Sequence, residues 1–287
     1  MTVELDTDIT MGLLESRRRH ASAASARSVL LTILGEYLHP TGAPVWTSAF
    51  VEAMAALGIE EKAARQALTR TASHGLISSS RQGRRVLWTL TDHGREVLEE
   101  GTTRIYSFMR VRRPWDGRWL VLNVAIPETR RQLRQRLGTR LTWLGLGAPT
   151  PGLWITPNTD TEADIATILE ELDLTGNAFA WIGPTAAAID VEPRLISMAW
   201  DLTAVAKQYQ DFINTFVERA PASEVDVFRN QVELIHAWRR FPFIDPDLPA
   251  ELLPSDWPGV QAANTFHERH SRWHRTAQSA WTRFASD

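Results

Sequence analysis

Five polar side chains recur along one stripe of the segment Ile59–His74: Lys62, Arg65, Gln66, Thr69 and Ser73. Their spacing of three and four residues sets them on one face of a helix. Ala63, Ala64, Ala67, Leu68, Thr71 and Ala72 fall on the other, apolar face. Guanidinium and ammonium groups donate to guanine edges and phosphates, and a carboxamide matches the edge of adenine, so the chemistry on offer is the reading of duplex DNA. Arg70, at the margin of the stripe, is placed to meet a phosphate. Next, Gly75–Ser79 and Arg85–Leu90 read as two short strands joined through Arg81-Gln82-Gly83-Arg84. Arg81, Arg84 and Arg85, grouped about a glycine, make a cationic tip able to enter a minor groove or grip phosphates. Upstream, Thr47 and Ser48 stand where a helix should begin, as a cap or as hydroxyl and amide donors to phosphate. Each set has a plainer reading: a solvated helix face, a turn made basic for solubility, a simple cap.

Two further groups invite chemistry. Arg130, Arg131, Arg134 and Arg136 form a basic cluster on one predicted helix, able to hold phosphates or to serve as an exposed face. His267, Glu268, His270 and His274 suggest a metal, but the zinc-hydrolase pattern needs histidines four apart with Glu after the first, and His267 and His270 are three apart. His270 and His274 do share a face, yet the sequence shows no third ligand. No metal and no catalytic residue is expected. The chain lacks cysteine, which excludes disulfides, zinc–thiolate sites and thiol catalysis and suits a reducing cytoplasm.

The elements that must position these groups follow from pattern. Residues Ala26–Leu38 are apolar at helical spacing and stop at His39-Pro40, a second helix spans Ser48–Leu57, and the polar stripe lies on a third, Glu60–His74. After the hairpin, Thr91 caps a fourth helix running to about Thr103. Three helices, a wing and a closing helix make a winged helix-turn-helix. Phe108–Arg118 reads as a linker. Then Trp119–Ile126 is a strand, Pro127 to about Leu137 a helix, Thr142–Leu146 and Leu153–Thr156 strands, Thr161–Leu172 a helix and Asn177–Ile182 a strand: the β-α-β-β-α-β order of a ferredoxin-like domain. Helices are expected over Leu195–Arg219, Ser223–Trp238 and Gln261–Phe284. Between the last two, the proline-rich stretch Phe241–Gly259 is too apolar for a solvated linker and should wrap the core or line a cavity. The expected fold is α+β and multidomain: a flexible segment at 1–24 with a possible short helix at Met11–His20, the winged domain at 25–107, the ferredoxin-like domain at 108–190 and a mostly helical domain at 191–287.

Composition agrees. With 287 residues, 44% of them hydrophobic and 23% charged, the chain can build more than one core. The net charge of −3 hides an asymmetry: residues 15–113 hold 15 Lys and Arg against 9 Asp and Glu, whereas residues 114–287 hold 16 against 22. A basic N-terminal third joined to an acidic remainder suits a DNA-binding module with a sensing or assembly module. No run of about 18 apolar residues marks a membrane span, and the first residues do not read as a signal peptide.

Three stretches together resemble the PaaX family of transcriptional repressors of aromatic catabolism. One is the winged-helix layout. The second is Trp115-Asp116-Gly117-Arg118-Trp119 followed by Ile126-Pro127-Glu128. The third runs from Trp238-Arg239-Arg240-Phe241-Pro242-Phe243 through Asp245-Pro246, Leu248-Pro249 and Leu252-Leu253-Pro254 to Trp257-Pro258-Gly259. The resemblance implies a DNA-binding N-terminal domain, a Cas2-like ferredoxin fold in the middle and a helical C-terminal domain for effector and dimer contacts. It also implies repression of an operon for phenylacetate or a related aromatic compound, relieved by an aryl- or acyl-CoA thioester, by a cytoplasmic homodimer. Such a ligand needs an apolar slot for its ring and cations for its phosphates. His236, Trp238, Arg239, Arg240, Phe241, Phe243 and Trp257, with Arg130, Arg131 and Arg134, are the candidates, against the alternative of a packed loop with a buried arginine paired to Asp245 or Asp247. In one respect the sequence departs from the pattern. Cas2-like nucleases place an aspartate near the end of the first strand, and the aligned residue here is Ala125. A metal nuclease, which needs carboxylates to hold its cation, is therefore disfavoured. A pure assembly protein is the remaining alternative class.

Overall fold

The computed structural model describes residues 25–110, 114–186 and 191–286. The expected flexible segment 1–24, with its possible helix, lies outside the described residues. By the pattern of contacts the chain divides into two units. The first takes the chain up to Ile105, Arg219–Ala237 and the residues from Phe266 onward; the second takes Tyr106–Glu218 and Trp238–Thr265. The helices expected to form one C-terminal domain at 191–287 are thus shared between the two units.

In the first unit, α1 spans Ala26–Ile33 and continues as one π-helical turn, Leu34–Leu38. Strand β1 (Val45–Trp46), α2 (Thr47–Ala55), α3 (Glu61–Ser73), β2 (Ile77–Gln82), β3 (Arg85–Leu90) and α4 (Asp92–Ser107) follow. The three strands form an antiparallel sheet in the order β1-β3-β2. The hairpin differs from the sequence expectation. Gln82 pairs with Arg85, so the loop is only Gly83-Arg84, and β2 starts two residues later than expected and runs three further. Gly83 sits at φ 61°, which supplies the positive φ that a two-residue hairpin turn needs at its first central position. α4 begins under the Thr91 cap as expected, with the Gly94 amide donating to Thr91 Oγ1 at 2.9 Å, and runs four residues beyond its expected end. The core joins Leu30, Ile33, Leu34 and Tyr37 of α1 with Phe50 and Met54 of α2 and Ala64 and Leu68 of α3. It also takes Phe228 from α9 (Glu224–Trp238) and Ala277, Trp281 and Phe284 from α10 (Gly259–Ser286), and the Tyr37 ring stacks on Trp281 at 5.4 Å.

The second unit is built on a four-stranded antiparallel sheet in the order β5-β6-β4-β7, from β4 (Trp119–Val124), β5 (Gly147–Thr150), β6 (Leu153–Thr156) and β7 (Ala178–Gly183). Helices α5 (Arg131–Trp143) and α6 (Glu162–Glu171) complete the expected β-α-β-β-α-β order. Strand β4 alternates: Leu120, Leu122 and Val124 meet Leu137, Leu141, Ile165 and Ile168 on one face, while Trp119 meets Ile196, Leu248 and Leu252 on the other. Residues Thr142–Leu146, expected as a strand, instead end α5 and turn at Gly145; the strand is Gly147–Thr150. Leu137 and Leu141 extend the helical face, and an apolar run this short carries no period of its own. Pro149 is tolerated because β5 is an edge strand with irregular register.

The helix expected over Leu195–Arg219 is two, α7 (Glu192–Ala199) and α8 (Leu202–Phe216). Trp200 is extended between them, and Asp201 caps α8 by accepting from the Ala204 amide at 2.9 Å. The proline-rich stretch wraps the core as expected. It contributes the buried Phe241, Leu248 and Leu252 and a one-turn helix, Phe241–Ile244.

Candidate nucleic-acid interface

Helix α3 buries Ala64, Ala67, Leu68 and Thr71, and Lys62, Arg65, Gln66, Thr69, Arg70 and Ser73 are all exposed. Five of these six, Lys62, Arg65, Gln66, Thr69 and Arg70, line one open groove together with Glu61. The apolar stripe fixes α3 against the core, so its polar stripe must face out. A 13-residue helix is about 20 Å long, enough to lie in a major groove.

The side chains are arranged as follows. Arg65 is held by Glu61, one turn earlier, with Nε and Nη2 each 2.7 Å from Oε1. Thr69 donates back to the Arg65 carbonyl at 3.0 Å, and Ser73 to the Arg70 carbonyl at 2.9 Å. These bonds are local, so exchanging them for contacts to a ligand disturbs no core.

The β2–β3 hairpin is cationic at its tip. Arg84 is exposed, and Arg81 donates across the turn to the Gly83 carbonyl at 3.1 Å. Arg85 does not project from the tip. Its guanidinium lies 4.3 Å over the Trp46 ring and reaches Ser48 Oγ at 3.4 Å, which ties the hairpin to the start of α2. Thr47 departs from the capping expectation, and its hydroxyl is engaged elsewhere. It donates to the Val86 carbonyl at 3.1 Å and accepts from Trp88 Nε1 at 2.9 Å, and no side chain caps α2. Its hydroxyl is consumed in joining α2 to β3, which leaves Ser48 as the exposed hydroxyl there.

One residue of this surface escaped the sequence reading. Arg27 of α1 lies close enough to Arg70 to feel its charge, and burial first and Arg70 second lower the pKa of Arg27. Among the described residues its buried Nε has no hydrogen-bond partner. Two like charges coupled in this way are relieved by an anion close to both. Nothing in the sequence pairs positions 27 and 70; only the packing of α1 on α3 does.

The second candidate set is dispersed. Arg130, Arg131, Arg134 and Arg136 are exposed at the start of α5, where the helix dipole adds to their positive field, and Arg134 donates to the Glu128 carbonyl at 3.0 Å. Trp238 and Phe241 have no exposed surface. They pack with Tyr209 and Phe212 as core, so neither ring offers the open slot expected of it. Phe243 stacks on Trp143 at 4.5 Å, and Trp257 meets the edge of Tyr209 at 5.8 Å. Trp143 ends α5, about 18 Å along the helix from Arg131. His236 belongs to the first unit and hydrogen-bonds Thr32 Oγ1 at 3.2 Å. Desolvation pulls the Arg239 guanidinium down to about 10, and Arg240 lies 5.6 Å from the Phe241 ring. The buried carboxylate nearby, Asp245, accepts from Tyr209 Oη at 2.6 Å and from the Asp247 amide at 2.7 Å.

The structure also supplies a third partner for the histidine pair of α10. Glu36, in the π-helical turn after α1, brings its Oε1 to 3.0 Å from His270 Nε2 and 3.3 Å from His274 Nδ1. Ala125, at the end of β4, is exposed and supplies no carboxylate.

Comparison with known proteins gives a consistent result. Residues 25–94 match the family model described as PaaX-like protein, residues 112–191 that of the PaaX protein central Cas2-like domain, and residues 200–283 that of the PaaX-like protein C-terminal domain. The chain is 30% identical over 272 residues to the transcriptional repressor PaaX of Escherichia coli (strain K12), covering 88% of this chain and 82% of that protein. Its fold is similar to that of the uncharacterized protein Rv0674 from Mycobacterium tuberculosis, with a TM-score of 0.61, 24% identity, and coverage of 90% of this chain and 99% of that one.

Proposed function

The chain belongs to the PaaX family, and from that premise we propose that it is a DNA-binding transcriptional repressor whose first unit carries a winged helix-turn-helix. The observation that carries this reading is the exposed stripe of α3 beside an arginine-tipped hairpin. Lys62, Arg65, Gln66 and Thr69 read base edges in the major groove. Arg70, Ser73 and Ser48 contact phosphates, and Arg81 and Arg84 carry the wing to the flanking backbone or minor groove. Arg85 acts by bracing the wing on Trp46. A homodimer on a two-fold operator fits this mode of reading, in the cytoplasm where the DNA lies.

The regulated genes in this reading are an operon for catabolism of phenylacetate or a related aromatic compound, and the effector is an aryl- or acyl-CoA thioester. Arg130, Arg131 and Arg134 support the phosphate half of that ligand, because they concentrate positive charge at the N-terminal end of α5. Phe243 and Trp257, which are partly exposed, are the aromatic groups left to meet an aryl group. A thioester that binds the DNA-free state better draws the population off the operator. A different small aromatic or acyl ligand acting on the same repressor is the second reading. A nuclease is not favoured, since Ala125 offers no oxygen ligand where a metal site would need one.

The test is a gel shift on the promoter beside the chain's own gene, with and without phenylacetyl-CoA and other CoA thioesters. A specific shift released by a thioester supports the whole reading. A shift indifferent to every thioester removes the effector, and no specific shift removes the repressor.

A further inference from the structure

We propose that Glu36, His270 and His274 form a binding site for a divalent transition-metal ion of the zinc class, fastening the C-terminal helix α10 to the π-helical turn of α1. The three ligand atoms, Glu36 Oε1, His270 Nε2 and His274 Nδ1, all lie within 4.8 Å of one another. Oε1 is 3.0 Å from the first nitrogen and 3.3 Å from the second. Metal–nitrogen and metal–oxygen bonds of about 2.0–2.1 Å in a tetrahedron place neighbouring ligand atoms about 3.3 Å apart, so the two edges that meet at Glu36 Oε1 already have close to the length such an ion requires, and the two imidazole nitrogens are within reach of the same ion. Two imidazoles and one carboxylate suit zinc, cobalt or nickel rather than magnesium or calcium, which take oxygen. A water molecule would complete the fourth position, on the half-exposed His274 side.

The surroundings are those of a built site. Glu36 is only 6% exposed, and a lone carboxylate at that depth is costly unless it is paired or bound to a cation. Gln231 of α9, fully buried, donates Nε2 to the same Oε1 at 3.1 Å, and Gln278 of α10 donates to the Glu36 carbonyl at 3.4 Å. Outer hydrogen bonds of this kind orient metal ligands. Glu36 reaches the site from a π-helical turn, and such turns concentrate at functional positions. Every contributing residue belongs to the first unit. Without the ion the same contacts are imidazole N–H bonds to a carboxylate, so the difference is directly measurable.

The experiment uses the full chain without a histidine tag, treated with EDTA and then titrated with ZnCl2 by calorimetry, with bound metal counted by mass spectrometry. Wild type should take up one equivalent, and MgCl2 should give no comparable signal. His274→Ala, at a half-exposed position, and Glu36→Gln should each weaken zinc binding at least about tenfold. CoCl2 should give visible absorption bands of tetrahedral intensity in wild type and lose them in His274→Ala. If Glu36→Gln does not fold, His274→Ala and His270→Asn decide, with circular dichroism confirming their fold. No zinc uptake by wild type, or uptake unchanged in His274→Ala, overturns the proposal.

Discussion

Glu61 and Arg65 form an ion pair along the exposed face of α3, with one carboxylate oxygen 2.7 Å from two guanidinium nitrogens. The pair holds the central cation of the stripe on the helix surface, and a phosphate or a guanine edge must compete with Glu61 to recruit it. An exposed pair one helical turn apart is worth only about 0.3–0.5 kcal/mol. Glu61→Gln should therefore change stability by less than about 0.5 kcal/mol and tighten DNA binding roughly two- to threefold, measured by fluorescence anisotropy at fixed salt.

The helix and the wing should be separable by salt and by sequence. Arg65→Ala should cost about 1–3 kcal/mol and relax preference at one base pair. Arg84→Ala should weaken binding to all sequences alike and lower the slope of log affinity against log salt by about one. Binding isotherms at several salt concentrations on matched and mutated fragments distinguish the two.

Thr47 is predicted to matter for stability and not for base reading. Its hydroxyl bridges the Val86 carbonyl and the Trp88 indole N–H. Thr47→Val leaves that indole without its partner and should cost about 1–3 kcal/mol in urea denaturation. Thr47→Ser, which keeps the hydroxyl, should recover most of it.

Gly94 should not tolerate a side chain. A Cβ there would lie 1.9 Å from the Leu76 carbonyl oxygen, a backbone atom that cannot swing away. Gly94→Ala must push α4 off the base of the wing. A loss of at least about 3 kcal/mol is expected, seen as a lower melting temperature and lost DNA binding.

What the sequence made legible follows from physics of short range. The stripe on α3 was visible because its polar and apolar residues alternate at helical spacing over the whole helix. Strand β4 is visible as the short apolar run Trp119–Ile126, broken only by Asn123, as befits a strand buried on both faces. The run Thr142–Leu146 carries neither period, so nothing in it marks the end of a helix rather than a strand. Thr47 was read as a cap because caps are local, whereas its partners lie on β3, 39 and 41 residues away. The same limit hid the electrostatic coupling of Arg27 to Arg70 and, most of all, Glu36, which is 234 residues from His270. Trp238 and Phe241 sit among arginines in a distinctive motif, which suggests ligand groups, but their burial is decided by Tyr209 and Phe212 of α8.

The central claim is that the α3 stripe and the wing read an operator, and the most direct measurement is anisotropy of the full chain on a labelled fragment from the promoter beside its own gene, with random DNA of equal length as competitor. Specific binding is typically about 10³-fold or more tighter than non-specific binding at physiological salt. The account predicts such a preference for wild type, its reduction by about 1–3 kcal/mol in Arg65→Ala, and a uniform weakening in Arg84→Ala. Wild-type binding no tighter than to random DNA, or specific binding untouched by both substitutions, would contradict it.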